Sequence, residues 1–298
     1  MQACKLNHTD VAVTRVYVKR IMMMRISLIA LAISAALASG CQTVETTQQG
    51  AVGVDRKQHM LVSEQEVEAS SQKQYAQMMA DAQKKGALDK DAAQVQRVKA
   101  ITSRLIPQTA VFRPDAQKWP WEVHVLSTSE VNAWCMPGGK MAMYTGLIEK
   151  LQATDDELAA VMGHEISHAL REHSREAISR QMATQTAVGV AGALFGVGQL
   201  GQSLGNMVAD VTLNLPNSRT NETEADRIGV ELAARAGYNP QAAVSLWQKM
   251  AKLNSSGAPP KWLSTHPSDE DRIKDVQQYA QKVMPLYTAA KAGPSAGK

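Results

Sequence analysis

The chain has 298 residues, 44% of them hydrophobic and only 4% aromatic, enough apolar material for a sizeable core filled by Leu, Val, Met and Ala. Its formal charge of +4 is confined to residues 1–41, where five basic side chains face one acidic, and the remainder holds 27 of each. No basic surface is left to neutralise phosphates, which excludes general nucleic-acid binding.

In chain order, the first readable element is the leader. "MRISLIALAISAALASGC" (24–41) has a positive start at Arg25, an apolar run from Ile26 to Leu37, and small residues before Cys41. This is a secretory signal plan, and its apolar run is too short for a membrane span. "LASGC" resembles a bacterial lipobox, in which Cys41 becomes the lipid-modified first residue. It departs from that pattern in carrying Ala38 where a large aliphatic residue usually stands, and a plain cleaved signal is the alternative. Gln42 in place of Asp implies, by the same resemblance, transport to the outer membrane. Met22, Met23 or Met24 is the expected start, and an extended n-region of the signal is the alternative for residues 1–23. Of the other two cysteines, Cys4 precedes that start, so Cys135 has no disulfide partner and reads as core.

Residues 42–58 are rich in Thr, Gln and Gly without apolar period and read as a tether. Helices are expected over 59–85 and 89–106, the second with Val95, Val98, Ile101, Leu105 and Ile106 on one face and Pro107 as its stop. "WEVHVLS" (121–127) alternates like a strand. "VNAWCM" and "KMAMYTG" flank "PGG" (137–139) and read as a hairpin. Thr154 and Glu157 fit a capping box opening one long helix over about 155–185. The glycine-rich segment 187–205 reads as a loose helical hairpin or flap, with membrane contact as the alternative. "NETEADRIGVELAARAGY" is helical and closes at Gly237. Asn239 and Pro240 restart a helix, Ser268 caps a last one, and the tail from Ala289 reads as disordered.

The chemistry lies in "GHEISHALREHS" (163–174). His164 and His168 are four apart, about 40° off alignment on a helix, so both rings face one side. Glu165 sits beside them, placed to act as a base on a bound water without being a ligand. This is H-E-x-x-H, the arrangement of zinc hydrolases. Seven histidines in 298 residues make a chance occurrence on the order of one in a hundred. His173 lies about 140° round a continuing helix from His168, which makes it a surface or outer-sphere residue. The metzincin pattern is disfavoured because no Gly follows His168 to break the helix.

A catalytic zinc takes three protein ligands and an open position. "NETEAD" (221–226) supplies the carboxylates: Glu222 and Asp226 share a face, with Glu222 as ligand and Asp226 orienting a ligand histidine. Glu224 points elsewhere and reads as solvated, and Glu172 reads as surface.

"HEISH", "SRTNETEADRIG" and "THPSDEDRI", with "VNAWCMPGGKMAMYTGLI" before them, resemble the gluzincin metallopeptidases of the CAAX prenyl endopeptidase, HtpX, BepA and LoiP. The likeness runs from Trp121 to Arg272. It implies an α+β, mostly helical, zincin-like metallopeptidase domain with a small sheet and a hairpin edge strand beside the H-E-x-x-H helix. It implies one zinc per chain on His164, His168 and Glu222, Glu165 as base, and Asp226 behind a ligand. It implies that Asn132, Ala133, Trp134, Cys135 and Met136 hold substrate as an added strand. His266 would approach the zinc, either steadying the oxyanion or blocking the open position. The absence of hydrophobic spans after the leader matches a soluble, lipid-anchored periplasmic branch.

The expected organisation is a leader at 1–40, a lipid-anchored linker at 41–58, a metallopeptidase domain at 59–288 and a tail at 289–298. The expected function is zinc-dependent cleavage of misfolded or misassembled envelope proteins, at the periplasmic face of the outer membrane. An outer-membrane assembly factor or chaperone with a latent zinc site is the rival, and a zinc hydrolase of peptidoglycan is a second.

Overall fold

The structure, a computed structural model, describes residues 42–187, 197–255, 260–267 and 270–293. The leader with Cys41, residues 188–196 of the glycine-rich segment, and Ser268 lie outside the described residues. Two compact units divide the chain at residue 42, and the described fold is that of the second, residues 43–298.

Short strands β1 (Gln42–Val44) and β2 (Gln58–Met60) form a two-stranded sheet. The stretch expected as a tether is therefore part of the domain. Val52 and Val54 are buried in the main core, and the Gln58 side chain is fully buried, donating to the Arg171 carbonyl at 2.8 Å. The low apolar content of 42–58 hid this, because two valines and one satisfied amide suffice to dock it.

Helix α1 (Glu64–Lys84) opens with a capping box of Ser63 and Glu66, and α2 (Ala92–Leu105) with Asp91 as its N-cap. Two 3-10 turns, Ile106–Val111 and Pro114–Lys118, each carry a proline at their start. The second sheet has the order β3-β5-β4. In it β3 (Glu122–Leu126) runs parallel to β5 (Lys140–Tyr144), and β4 (Ala133–Met136) runs antiparallel to β5. The hairpin turns at Gly138 and Gly139, both at φ 77°, a conformation that only glycine adopts without cost.

Helix α3 (Thr145–Lys150) leads to α4 (Asp155–Leu170), where the Thr154 hydroxyl accepts from the Glu157 N–H and the Glu157 carboxylate accepts from the Thr154 N–H. The long helix expected over 155–185 is interrupted. Arg171 caps α4, Glu172 takes φ +51°, and α5 (His173–Ala187) starts afresh. A left-handed non-glycine residue costs about 1–2 kcal/mol. Two buried ion pairs offset it, from Arg113 Nη1 at 2.7 Å and Arg175 Nη1 at 2.6 Å to the Glu172 carboxylate. Glu172 is thus buried rather than on the surface.

Helices α6 (Val197–Leu213), α7 (Arg219–Arg235) and α8 (Ala242–Ser255) follow, then α9 (Lys261–Thr265), α10 (Glu270–Lys282) and α11 (Met284–Ala292). The stretch after Ala289, expected to be disordered, is helical to Ala292. Ser218 caps α7, and Gly237 at φ 75° ends it as expected. Among the described residues no helix is long and apolar enough to cross a membrane.

The largest of three hydrophobic clusters among the described residues lies between the sheet and α4, filled by Met141, Met143, Leu158, Val161, Met162 and their neighbours. The flexible methionines fill the gaps that scarce aromatics leave. Helices α4 and α7 cross backbone to backbone. A Cβ on Gly163 would lie 2.8 Å from the Gly229 carbonyl oxygen, and one on Gly229 would lie 2.8 Å from the His164 nitrogen. This crossing sets how near the α7 carboxylates come to the α4 histidines. Gly229→Ala would ordinarily favour a helix by about 1 kcal/mol. Here the overpacked backbone should instead lower stability by roughly 1–3 kcal/mol, read as a fall in the urea midpoint at unchanged slope.

Candidate metal centre

The 3.6-residue period of α4 puts His164 and His168 side by side, and the α4/α7 crossing brings Glu222 against them. Donor atoms of His164, His168, Glu222 and His266 all lie within 4.8 Å of one another. His164 Nε2 is 3.0 Å from His168 Nε2, and His168 Nε2 is 3.3 Å from Glu222 Oε1. His164 Nε2 is also 3.5 Å from Glu222 Oε2. The four side chains are buried, Glu222 to 1% exposure.

Proton counting shows what these atoms offer. The Nδ1–H of His164 donates to Asp226 Oδ1 at 2.9 Å. Arg272 holds that carboxylate from the other side, Nη2 to Oδ1 at 2.9 Å. Burial opposes ionisation of Asp226, but the Arg272 charge outweighs it and keeps its pKa below the usual value. Burial drives the His168 pKa far below the ordinary imidazole value, so its ring is neutral. Its Nδ1 faces His173 Nδ1 at 2.8 Å. Once His168 spends its single proton there, both Nε2 atoms present bare lone pairs to each other at 3.0 Å. Such an arrangement repels unless a cation shares the lone pairs.

The residues fit zinc. A tetrahedral centre with bonds of about 2.0–2.1 Å has ligand-to-ligand edges of roughly 3.3 Å, and the separations above bracket that length. Arg272 Nη1 lies 2.6 Å from Glu222 Oε2, so a cation holds this carboxylate in place while its Oε1 faces His168 Nε2. His266 and Arg272 overcome the burial penalty and hold the Glu222 pKa well below the usual range.

Glu165 faces the same space. The indole N–H of Trp262 donates to its Oε1 at 2.7 Å, and His266 Nε2 is 3.4 Å from that oxygen. His266 Nδ1 lies 3.1 Å from His164 Nε2 and 3.0 Å from Glu222 Oε1. Burial opposes a charge on His266, but Glu222 and Glu165 together raise its pKa above the ordinary value. His266 therefore sits inside the donor cluster, beside His164, Glu222 and Glu165.

One sequence expectation fails here, and of the two places offered for His173, surface or outer sphere, the structure takes the outer sphere. Glu224 is buried, not solvated: it pairs with Arg56 Nε at 2.6 Å, Arg171 Nη2 at 3.0 Å and His173 Nε2 at 3.1 Å. His173 is 1% exposed, returned towards His168 by the helix break. Trp262, Arg272, Arg171 and Arg56 carry no spacing signal that could have flagged them. Each reaches the site through contacts distant in sequence.

Strand β4 lies at a sheet edge, as the hairpin reading requires. Asn132 through Met136 are nonetheless buried. Helix α6 packs on β4, and the Trp262 N–H donates to the Val131 carbonyl at 3.1 Å. Burial raises the Cys135 thiol pKa far above the usual value, so it is an inert core group.

The family model for Peptidase family M48 matches residues 92–280. The chain belongs to peptidase family M48. It is 36% identical over 181 residues to mitochondrial metalloendopeptidase OMA1 of Arabidopsis thaliana, covering 58% of this chain and 35% of that protein. It is 29% identical over 253 residues to metalloendopeptidase OMA1 of Bos taurus, covering 81% of this chain and 48% of that protein. It is also 30% identical over 184 residues to the beta-barrel assembly-enhancing protease of Escherichia coli K12, covering 59% of this chain and 38% of that protein. The chain spans between a third and a half of the length of these relatives. The mostly helical fold with small sheets is that of an M48 zincin-like domain. M48 membership implies a divalent metal, typically zinc, and His164, His168, Glu222 and His266 are donors suited to it.

Proposed function

We propose that this M48 protein is a zinc-dependent endopeptidase, with His164, His168 and Glu222 as zinc ligands and Glu165 as general base. The carrying observation is the pair of Nε2 atoms 3.0 Å apart with the Glu222 carboxylate 3.3 Å from one of them. Bound zinc supplies a Lewis acid that lowers the pKa of water to about 7 and polarises a peptide carbonyl. Glu165 takes a proton from the attacking water on its carboxylate and returns it to the leaving amine. Trp262 fixes the carboxylate through one oxygen and leaves the other for that proton. Asp226, backed by Arg272, keeps the His164 Nε2 lone pair aimed at the centre.

His266 occupies the position that substrate and water need, and β4 is covered by α6 and by the start of α9. Both features support reading this conformation as a closed form, in which His266 blocks the open position. Substrate would bind as a strand along Asn132–Met136 once that edge is uncovered.

The leader reading, with Cys41 lipidated, places the domain on the periplasmic face of the outer membrane. The similarity to a beta-barrel assembly-enhancing protease supports an envelope setting, and misassembled envelope proteins are then the substrates. Assembly-factor activity is the second reading, favoured by the same relatives, and Glu165 argues for catalysis because a structural metal site needs no base. The test is digestion of casein by the purified protein. Cleavage should stop with a chelator and return with stoichiometric zinc. Casein degradation that continues in the metal-free protein would sink the proposal.

A further inference from the structure

His173 and Glu224 both lie outside the ligand set, yet they are buried and joined in line to a ligand. His168 Nδ1 meets His173 Nδ1 at 2.8 Å, and His173 Nε2 meets Glu224 Oε2 at 3.1 Å. Glu224 is closed off at its far end by Arg56, whose Nε is 2.6 Å from Oε1 and whose Nη2 is 3.2 Å from Oε2. Arg171 Nε adds a contact at 3.0 Å to Oε2. Glu176 holds the other face of the Arg56 guanidinium at 2.6 and 2.9 Å.

The proton bookkeeping along this line has one consistent solution. A carboxylate between two guanidinium groups is an acceptor only. The N–H of His173 must therefore be on Nε2, pointing at Glu224. Its Nδ1 is then an acceptor, which requires the N–H of His168 on Nδ1 and leaves His168 Nε2 bare. The direction of every bond ends with the ligand lone pair aimed at the metal.

We infer that His173 is a positioning residue that selects the tautomer and orientation of His168, with Glu224 and Arg56 as its anchor. This rests on His168 being a metal ligand, as proposed above. A carboxylate directly behind a ligand histidine is the usual arrangement, and Asp226 supplies it for His164. For His168 the carboxylate stands one imidazole further out. The break at Arg171 and Glu172 exists for this geometry: a continuing helix would carry His173 away from His168. The relay also ties residues 43–58 to the metal centre, because Arg56 lies on that segment. The docked amino-terminal segment thereby becomes part of what holds the ligand.

The experiment uses the full chain. Zinc affinity is measured by competition with a chromogenic chelator, and cobalt-substituted protein gives a visible spectrum of the ligand field. His173→Asn keeps an acceptor where Nδ1 stands. His173→Leu removes it, and His173→Gln places its amide at the Nε2 end, facing Glu224 but not His168. Zinc affinity should fall roughly 10–100-fold in the Leu and Gln forms and stay within about threefold of wild type in the Asn form. The cobalt spectrum should change in the same order. Should His173→Leu fail to fold, the Asn and Gln pair carries the comparison. Wild-type affinity in the Leu or Gln form overturns the inference, and so does an equal loss in the Asn and Gln forms. His168→Ala separates the two readings: if that variant also keeps wild-type zinc affinity, the ligand assignment itself has failed.

Discussion

Glu165→Gln should bind zinc as tightly as the wild type and cleave casein at least about 10²–10⁴-fold more slowly, the range a general base supplies. The substitution is nearly isosteric. Its amide oxygen still accepts the Trp262 indole N–H, which is 2.7 Å from Oε1 in the native side chain. Glu165 is 2% exposed and packed beside His266, so the exchange disturbs neither core nor ligands. What disappears is the carboxylate proposed to take a proton from water and pass it to the amine. Zinc content by atomic absorption and turnover by fluorogenic casein read the two effects separately. Full turnover in the zinc-loaded Gln form would remove Glu165 from the mechanism.

His266→Ala should act in the opposite direction, raising casein cleavage at saturating zinc about ten- to a hundredfold. Each factor of ten corresponds to about 1.4 kcal/mol of preference for the closed form. In this structure His266 Nδ1 is held by Glu222 Oε1 at 3.0 Å and His164 Nε2 at 3.1 Å, and its ring packs on Trp262 with centroids 4.8 Å apart. Removing the ring vacates the position that substrate needs and loosens the start of α9 against Val131. Zinc affinity should fall at the same time, since a donor is lost. The rival role gives the opposite sign: a residue that stabilises the oxyanion costs about 10²–10³ in turnover when removed. One assay of initial rates at saturating zinc decides between them.

The parts of the site read from sequence are those set within a turn or two of helix. His164, Glu165 and His168 follow from the helical period, and the Thr154–Glu157 cap that starts α4 follows from a three-residue spacing. The hairpin of β4 and β5 follows from alternation around two glycines. Glu222 and Asp226 are legible as a shared face of α7. The misreadings all concern side chains whose surroundings come from elsewhere in the chain. Glu224 shares its acidic tract with two buried partners but reads as solvated, because Arg56 stands 168 residues away. His173 is set aside by extending a helix that two arginines, one from a distant turn, stop at Glu172. Residues 42–58 look like a tether because their docking needs only a few apolar and hydrogen-bonding groups.

The sequence by itself determined the chemistry available: two imidazoles on one helical face, a carboxylate between them, and carboxylates a turn apart on a second helix. These are matters of residue type and local period, which the backbone geometry enforces before any packing. Tertiary structure decided how that chemistry is arranged. The crossing at Gly163 and Gly229 sets the reach between the α4 histidines and the α7 carboxylates, the left-handed Glu172 returns His173 to His168, and His266 arrives from 102 residues beyond His164. Local propensity carries no information about such pairings, because the attraction that offsets the cost of burying each charge exists only once the distant partners meet.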